Sequence, residues 1–77
     1  MSSVQQKNSI SQIEMTLNRI IHPIQGVVDV DRIVDIISMH LPVMKDLLPA
    51  HIDIFVKLEA NTATKQYKVK VKQITLH

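Results

Sequence analysis

The feature that most constrains this chain is a change of hydrophobic period at His51. Ahead of it, apolar residues recur every three or four positions; behind it they alternate with polar ones. Helical side chains share a face at i, i+3, i+4 and i+7, whereas strand side chains share a face at i and i+2. The chain therefore reads as helices followed by strands. That order belongs to the α+β class.

The first stripe is Ile10, Ile13, Leu17, Ile20 and Ile24, with Ile21 beside it. Glu14, Asn18 and His22 fall on other faces, so an amphipathic helix of about four turns is expected. Ser9-Ile10-Ser11-Gln12 has the S-x-x-Q spacing of a capping box and marks its start. Residues 1–8 (MSSVQQKN) are polar and expected to form a flexible tail ahead of a single domain over 9–77. Pro23 and Gly26 mark the end of the helix. Gly26 to Val30 (GVVDV) suits either a short strand or a connection.

Asp29 or Asp31 offers the next N-cap. Ile33, Val34, Ile37, Leu41, Met44 and Leu48 then keep helical phase straight through Pro42. A helix over 31–48 kinked at the proline follows, with Pro49 as its stop. Ile36, Val43 and Leu47 widen its apolar face, and His40 lies beside them. Such a helix must be covered on two sides.

Ile52, Ile54, Val56 and Leu58 form one face of a strand, and Asp53, Phe55, Lys57 and Glu59 the other. After the polar Asn61-Thr62-Ala63-Thr64, Tyr67, Val69 and Val71 alternate with Lys68, Lys70 and Lys72. This is an antiparallel hairpin. A turn centred on Thr62 and Ala63 places Leu58 opposite Tyr67, Val56 opposite Val69 and Ile54 opposite Val71. On the other face it sets Asp53 against Lys72, Phe55 against Lys70 and Lys57 against Lys68. Ile74 and Leu76 are one residue out of phase. A β-bulge near Gln73 would return them to the apolar face; otherwise they point away and serve another contact.

Composition bears on size and partners. With 77 residues and no cysteine, the chain has neither disulfides nor a thiolate metal site. A domain this small buries only about 60% of its unfolded surface. Yet 45% of the residues are hydrophobic. Self-association covers such a surplus, and a dimer that completes the two-layer fold is the favoured arrangement. No apolar run approaches the roughly 18 residues of a membrane span, and no secretory signal is evident. The expected setting is soluble, intracellular and cytoplasmic.

Charge is uneven: residues 1–50 carry a net −1 and residues 51–77 a net +3. Lys68, Lys70 and Lys72 project from one strand face at intervals of about 7 Å, with Lys57, Lys65 and Phe55 nearby. Such a comb can meet phosphates. Lysine is also the usual guard of an exposed sheet edge. A winged-helix reading is weakened by Val43–Leu48, which offers no Arg, Asn or Gln to read bases.

Four histidines lie far apart without H-x₃-H or H-E-x-x-H spacing, so no metal or other cofactor is expected. Asp29, Asp31 and Asp35 are explained by helix capping, and no nucleophile motif or phosphate-binding glycine loop occurs. The expectation is a small non-enzymatic protein-binding or regulatory module that self-associates. It would dock on another protein through helix 31–48 and hairpin 51–77, with Ile36, His40, Val43 and Leu47 as contacts. The alternative is a small nucleic-acid-binding protein using Phe55, Lys57, Lys65, Lys68, Lys70 and Lys72.

Overall fold

The computed structural model describes residues 2–75, with side chains from Ser9 onward. Its elements are α1 (Ser2–Ile21), α2 (Val30–Lys45), β1 (Ile52–Asn61) and β2 (Gln66–Thr75). Two helices thus precede a two-stranded antiparallel sheet.

The 3–4 stripe of α1 is its buried face. Ile13, Leu17 and Ile21 are essentially inaccessible, and Ile10, Ile20 and Ile24 pack at the margin. The helix begins at Ser2 and passes through Ser9, so the S-x-x-Q pattern does not mark its start. Nothing upstream of Ser9 is a Pro or Gly that would break a helix, and Ser and Gln are tolerated inside one. After Ile21 the chain turns through Pro23 and Gly26, whose φ of +86° lies in the left-handed region. Bonds from Gln25 N–H to the Ile21 carbonyl and from Val28 N–H to the Ile24 carbonyl hold this bend. Gly26 to Asp29 is a connection and Val30 already belongs to α2; the only strand-like feature is an isolated bridge between Gln25 and Val28.

Asp29 caps α2, its carboxylate accepting from Arg32 N–H at 3.0 Å. Ile33 and Ile37 are buried, with Leu41, Met44 and Leu48 partly so. The helix runs through Pro42 but ends at Lys45, three residues earlier than the stripe suggests. Tight turns finish it: Leu47 N–H donates to the Met44 carbonyl and Leu48 N–H to the Lys45 carbonyl. These turns still aim Leu48 at the core. Periodicity therefore outlasts the helix.

The hairpin has the expected faces but a different register. Val56 pairs with Val71, Leu58 with Val69 and Ala60 with Tyr67, a slide of two residues from the pairing that a turn centred on Thr62 and Ala63 would give. Because the slide is even, every side chain keeps its face. Its cause lies in the turn. Asn61 accepts from Ala63 N–H at 3.0 Å and Thr64 N–H at 3.3 Å, while Lys65 takes a left-handed φ of +56°. This side-chain-capped turn closes a four-residue loop, Thr62 to Lys65, in place of a two-residue turn.

Pairing continues without a bulge to Thr75, so Ile74 stands on the outer face opposite Asp53. Leu76 lies outside the described residues. Both helices contribute to one core with the inner sheet face: Ile13, Leu17 and Ile21 meet Ile33 and Ile37 over Ile54, Val69 and Val71. Fully burying each such side chain stabilises by about 1.5–3 kcal/mol.

Candidate interaction surface

A two-stranded sheet has two edges, and unpaired main-chain groups there invite another strand. Here the two edges are treated differently. Along β2 the outward N–H groups belong to Tyr67, Val69, Val71, Gln73 and Thr75, and each of the first three meets a side chain from the first third of the chain. Gln25 Oε1 accepts from Tyr67 N–H at 2.7 Å, Asn18 Oδ1 from Val69 N–H at 2.8 Å, and Glu14 Oε1 from Val71 N–H at 3.0 Å. Asn18 also donates to the Val69 carbonyl at 3.0 Å. Its carboxamide thus imitates the peptide group of a neighbouring strand. The β2 edge is closed from Tyr67 to Val71, while no acceptor among the described residues meets the outward N–H groups of Gln73 and Thr75.

On β1 the outward groups are those of the residues paired with Tyr67, Val69 and Val71, because such pairs share orientation in an antiparallel ladder. They continue along Ile52, Ile54, Val56, Leu58 and Ala60. Ile52 N–H donates to the Pro49 carbonyl at 3.0 Å, and Ile54 N–H to Asp53 Oδ1 at 2.8 Å. Lys45 holds the same carboxylate at 3.1 Å. These contacts keep the Asp53 carboxyl below the usual carboxylate range: the Ile54 hydrogen bond acts most, then that from Lys45, against a smaller opposing effect of desolvation. From Val56 to Ala60 no acceptor among the described residues meets the outward N–H groups. This half of the edge is open.

Beside it lies an apolar notch of about 170 Å³, lined by Val34, Ile37, Ser38, Leu41, Val56 and Leu58. Val34 is 45% exposed there, although it belongs to the buried-phase stripe of the sequence. A larger polar groove of about 590 Å³ runs between the end of α1 and the hairpin turn, past Asn18, His22, Gln25 and Tyr67. Its Gln25 side chain bridges His22 Nδ1 and Tyr67 N–H, so these polar groups are engaged in holding the fold.

The residues expected at a protein interface lie on a second flank of α2 and, for Leu47, in the turn that follows it. Val43 and Leu47 are about two-thirds exposed, whereas Ile36 and His40 are half-buried. His40 Nδ1 lies 2.8 Å from the Ile36 carbonyl; as donor, it ties the imidazole back onto its own helix. The comb is assembled on the outer sheet face: Phe55 lies opposite Lys72, Lys57 opposite Lys70 and Glu59 opposite Lys68. Lys65 is separate, in the turn. Among the described residues no group of His, Cys, Asp or Glu is arranged to hold a metal ion, and no helix is long and apolar enough to cross a membrane.

Sequence reasoning missed Glu14, Asn18 and Gln25. The available signal was Asn18, a poor helix former in mid-helix, one turn after Glu14 and flanking the apolar stripe. Comparison of the chain with protein-family models, curated proteins and solved structures finds no match.

Proposed function

We propose that this chain is a non-enzymatic protein-binding module that self-associates and docks on another protein through α2 and the hairpin. The observation that carries this reading is the unequal treatment of the two sheet edges. Three side chains seal β2 from Tyr67 to Val71, while β1 keeps main-chain groups from Val56 to Ala60 without a partner among the described residues, beside an apolar notch. Strand addition uses such a combination: the main chain supplies hydrogen bonds, and a neighbouring pocket takes alternate side chains. The exposed Val43 on α2 and Leu47 in the turn after it supply a second contact flank.

Light scattering of the purified chain across a concentration series tests the self-associating part. The expected result is a mass above the 8.8 kDa of one chain, returned to that value by Val34→Glu or by Ile36→Glu with Val43→Glu. A single-chain mass up to about millimolar concentration, where even weak association of about −4 kcal/mol registers, removes it.

The second reading is nucleic-acid binding by the outer sheet face, where Phe55, Lys57, Lys68, Lys70 and Lys72 stand together with no layer of described residues packed over them. Phe55 is 54% exposed and offers one stacking surface. Anisotropy titrations with single- and double-stranded DNA and RNA at two salt concentrations test it. Micromolar binding that weakens steeply with salt supports it; no binding at low salt excludes it.

A further inference from the structure

We infer that the occupant of the open β1 edge is the β1 strand of a second copy, paired antiparallel about a two-fold axis at Leu58. The inference rests on the protein-binding reading above and names the partner, the register and the contacts.

The open window defines the register. Its outward groups belong to Val56, Leu58 and Ala60, and Asp53 and Pro49 close the edge on the N-terminal side. Two identical windows running antiparallel use all their free groups in one alignment only. Leu58 then faces Leu58 of the second copy, and Val56 faces Ala60 in both directions. A slide of two residues toward the N-terminus would place Ile54 in the ladder, where Asp53 already holds its N–H at 2.8 Å.

Charge selects the same alignment. On the outer face Lys57 stands opposite Lys70 within its own hairpin, an unfavourable pair. With Leu58 on the axis, Lys57 gains Glu59 of the second copy on its other side. The row across four strands becomes Lys70, Lys57, Glu59, Lys68, so each copy's Lys57 acquires an acid neighbour. Centring on Lys57 would instead set two lysines face to face. Centring on Val56 would bring Asp53 against Glu59. On the inner face, the Leu58 side chains meet at the mouth of the notch lined by Val34 and Leu41.

Single-cysteine variants read this register directly, since the chain has no cysteine of its own. Facing residues of a hydrogen-bonded pair are about 5.5 Å apart at Cα, within disulfide range. Under mild oxidation Leu58→Cys should give a covalent dimer at least about tenfold faster than Val56→Cys or Ala60→Cys, whose like positions lie about 13 Å apart. The double variant Val56→Cys with Ala60→Cys should cross-link efficiently again and guards against a local fault at Leu58. Lys57→Glu or Glu59→Lys alone should weaken the dimer by about tenfold, with affinity regained when both are exchanged.

Cross-linking that peaks at Val43→Cys or Leu47→Cys would overturn the paired strands while leaving self-association through α2 standing. A single-chain mass throughout would overturn the paired strands and self-association together. Covalent dimers at Leu58 with no effect of either charge exchange would uphold the register and overturn charge pairing as what selects it.

Discussion

The carboxamide of Asn18 holds both main-chain groups of Val69, accepting from its N–H at 2.8 Å and donating to its carbonyl at 3.0 Å. The two residues are 51 positions apart, and the contact fixes α1 against the edge of β2. It also occupies the groups that a foreign strand would need. One side chain thus contributes to packing and to the direction in which the sheet can grow.

Asn18→Ala should destabilise the fold by about 1–3 kcal/mol, because a half-buried donor and acceptor lose their partner together. Asn18→Asp keeps the acceptor for Val69 N–H and loses the donor, so its cost should be smaller. Urea unfolding of the two variants checks this order. Asn18→Ala should also increase concentration-dependent aggregation, since it opens the second edge.

A core substitution provides the scale for comparison. Leu17 is completely buried between the helices and the sheet. Leu17→Ala should cost about 2–5 kcal/mol, with a lower urea midpoint. A loss under about 1 kcal/mol would show that the site collapses around the smaller side chain.

Much of this arrangement is legible in the amino-acid sequence, and the reason is geometric. Ile13, Leu17 and Ile21 recur at helical spacing, and Ile52 and Ile54 at strand spacing, so each stripe identifies both an element and its buried face. Register is another matter. Any slide of two residues preserves the faces of Val56, Val69 and Val71, so patterning leaves the alternatives equal. The choice falls to Asn61 and Lys65, whose turn geometry carries no hydrophobic signature. The sealed β2 edge is equally hidden, because Glu14, Asn18 and Gln25 find their partners 57, 51 and 42 residues away. Val43 and Leu47, the residues expected at an interface, are recognisable as apolar, but their two-thirds exposure depends on where α2 and the turn after it come to lie.

Lys65 carries the turn's left-handed φ, a conformation that L-residues other than Gly, Asn and Asp adopt at a cost. Lys65→Gly should therefore stabilise the hairpin by about 0.5–1 kcal/mol after its larger unfolded-state entropy is counted. Lys65→Val should destabilise, since a β-branched side chain resists positive φ. The measurement is the urea midpoint at constant m. Because Lys65 stands apart from the outer-face comb, neither change should alter nucleic-acid binding if that surface binds at all.

Asp53 links the acid behaviour of the fold to the limit of its open edge. Its carboxylate accepts from Ile54 N–H at 2.8 Å and pairs with Lys45 at 3.1 Å, and both contacts favour the ionised form. The folded-state pKa is accordingly below the ordinary value, the Ile54 bond being the larger cause. A group depressed on folding contributes stability that is fully present above its unfolded pKa, near about 3.9, and is lost as pH falls through the folded value. Stability should therefore decline below about pH 4 in the native chain, and part of that decline should be missing in Asp53→Ala. The same variant frees Ile54 N–H and lengthens the open window toward the N-terminus. In the Leu58-centred dimer, Ile54 faces the turn residue Thr62 of the second copy, so the added group lies outside the paired window. Asp53→Ala should thus change acid sensitivity while leaving the Leu58→Cys cross-linking pattern in place. An NMR titration of the Asp53 carboxyl together with unfolding from about pH 3 to 7 would check the first part. Cross-linking in the Asp53→Ala background would check the second: a peak moved from Leu58 toward Val56 would mean that the carboxylate, rather than charge pairing along the row, selects the register.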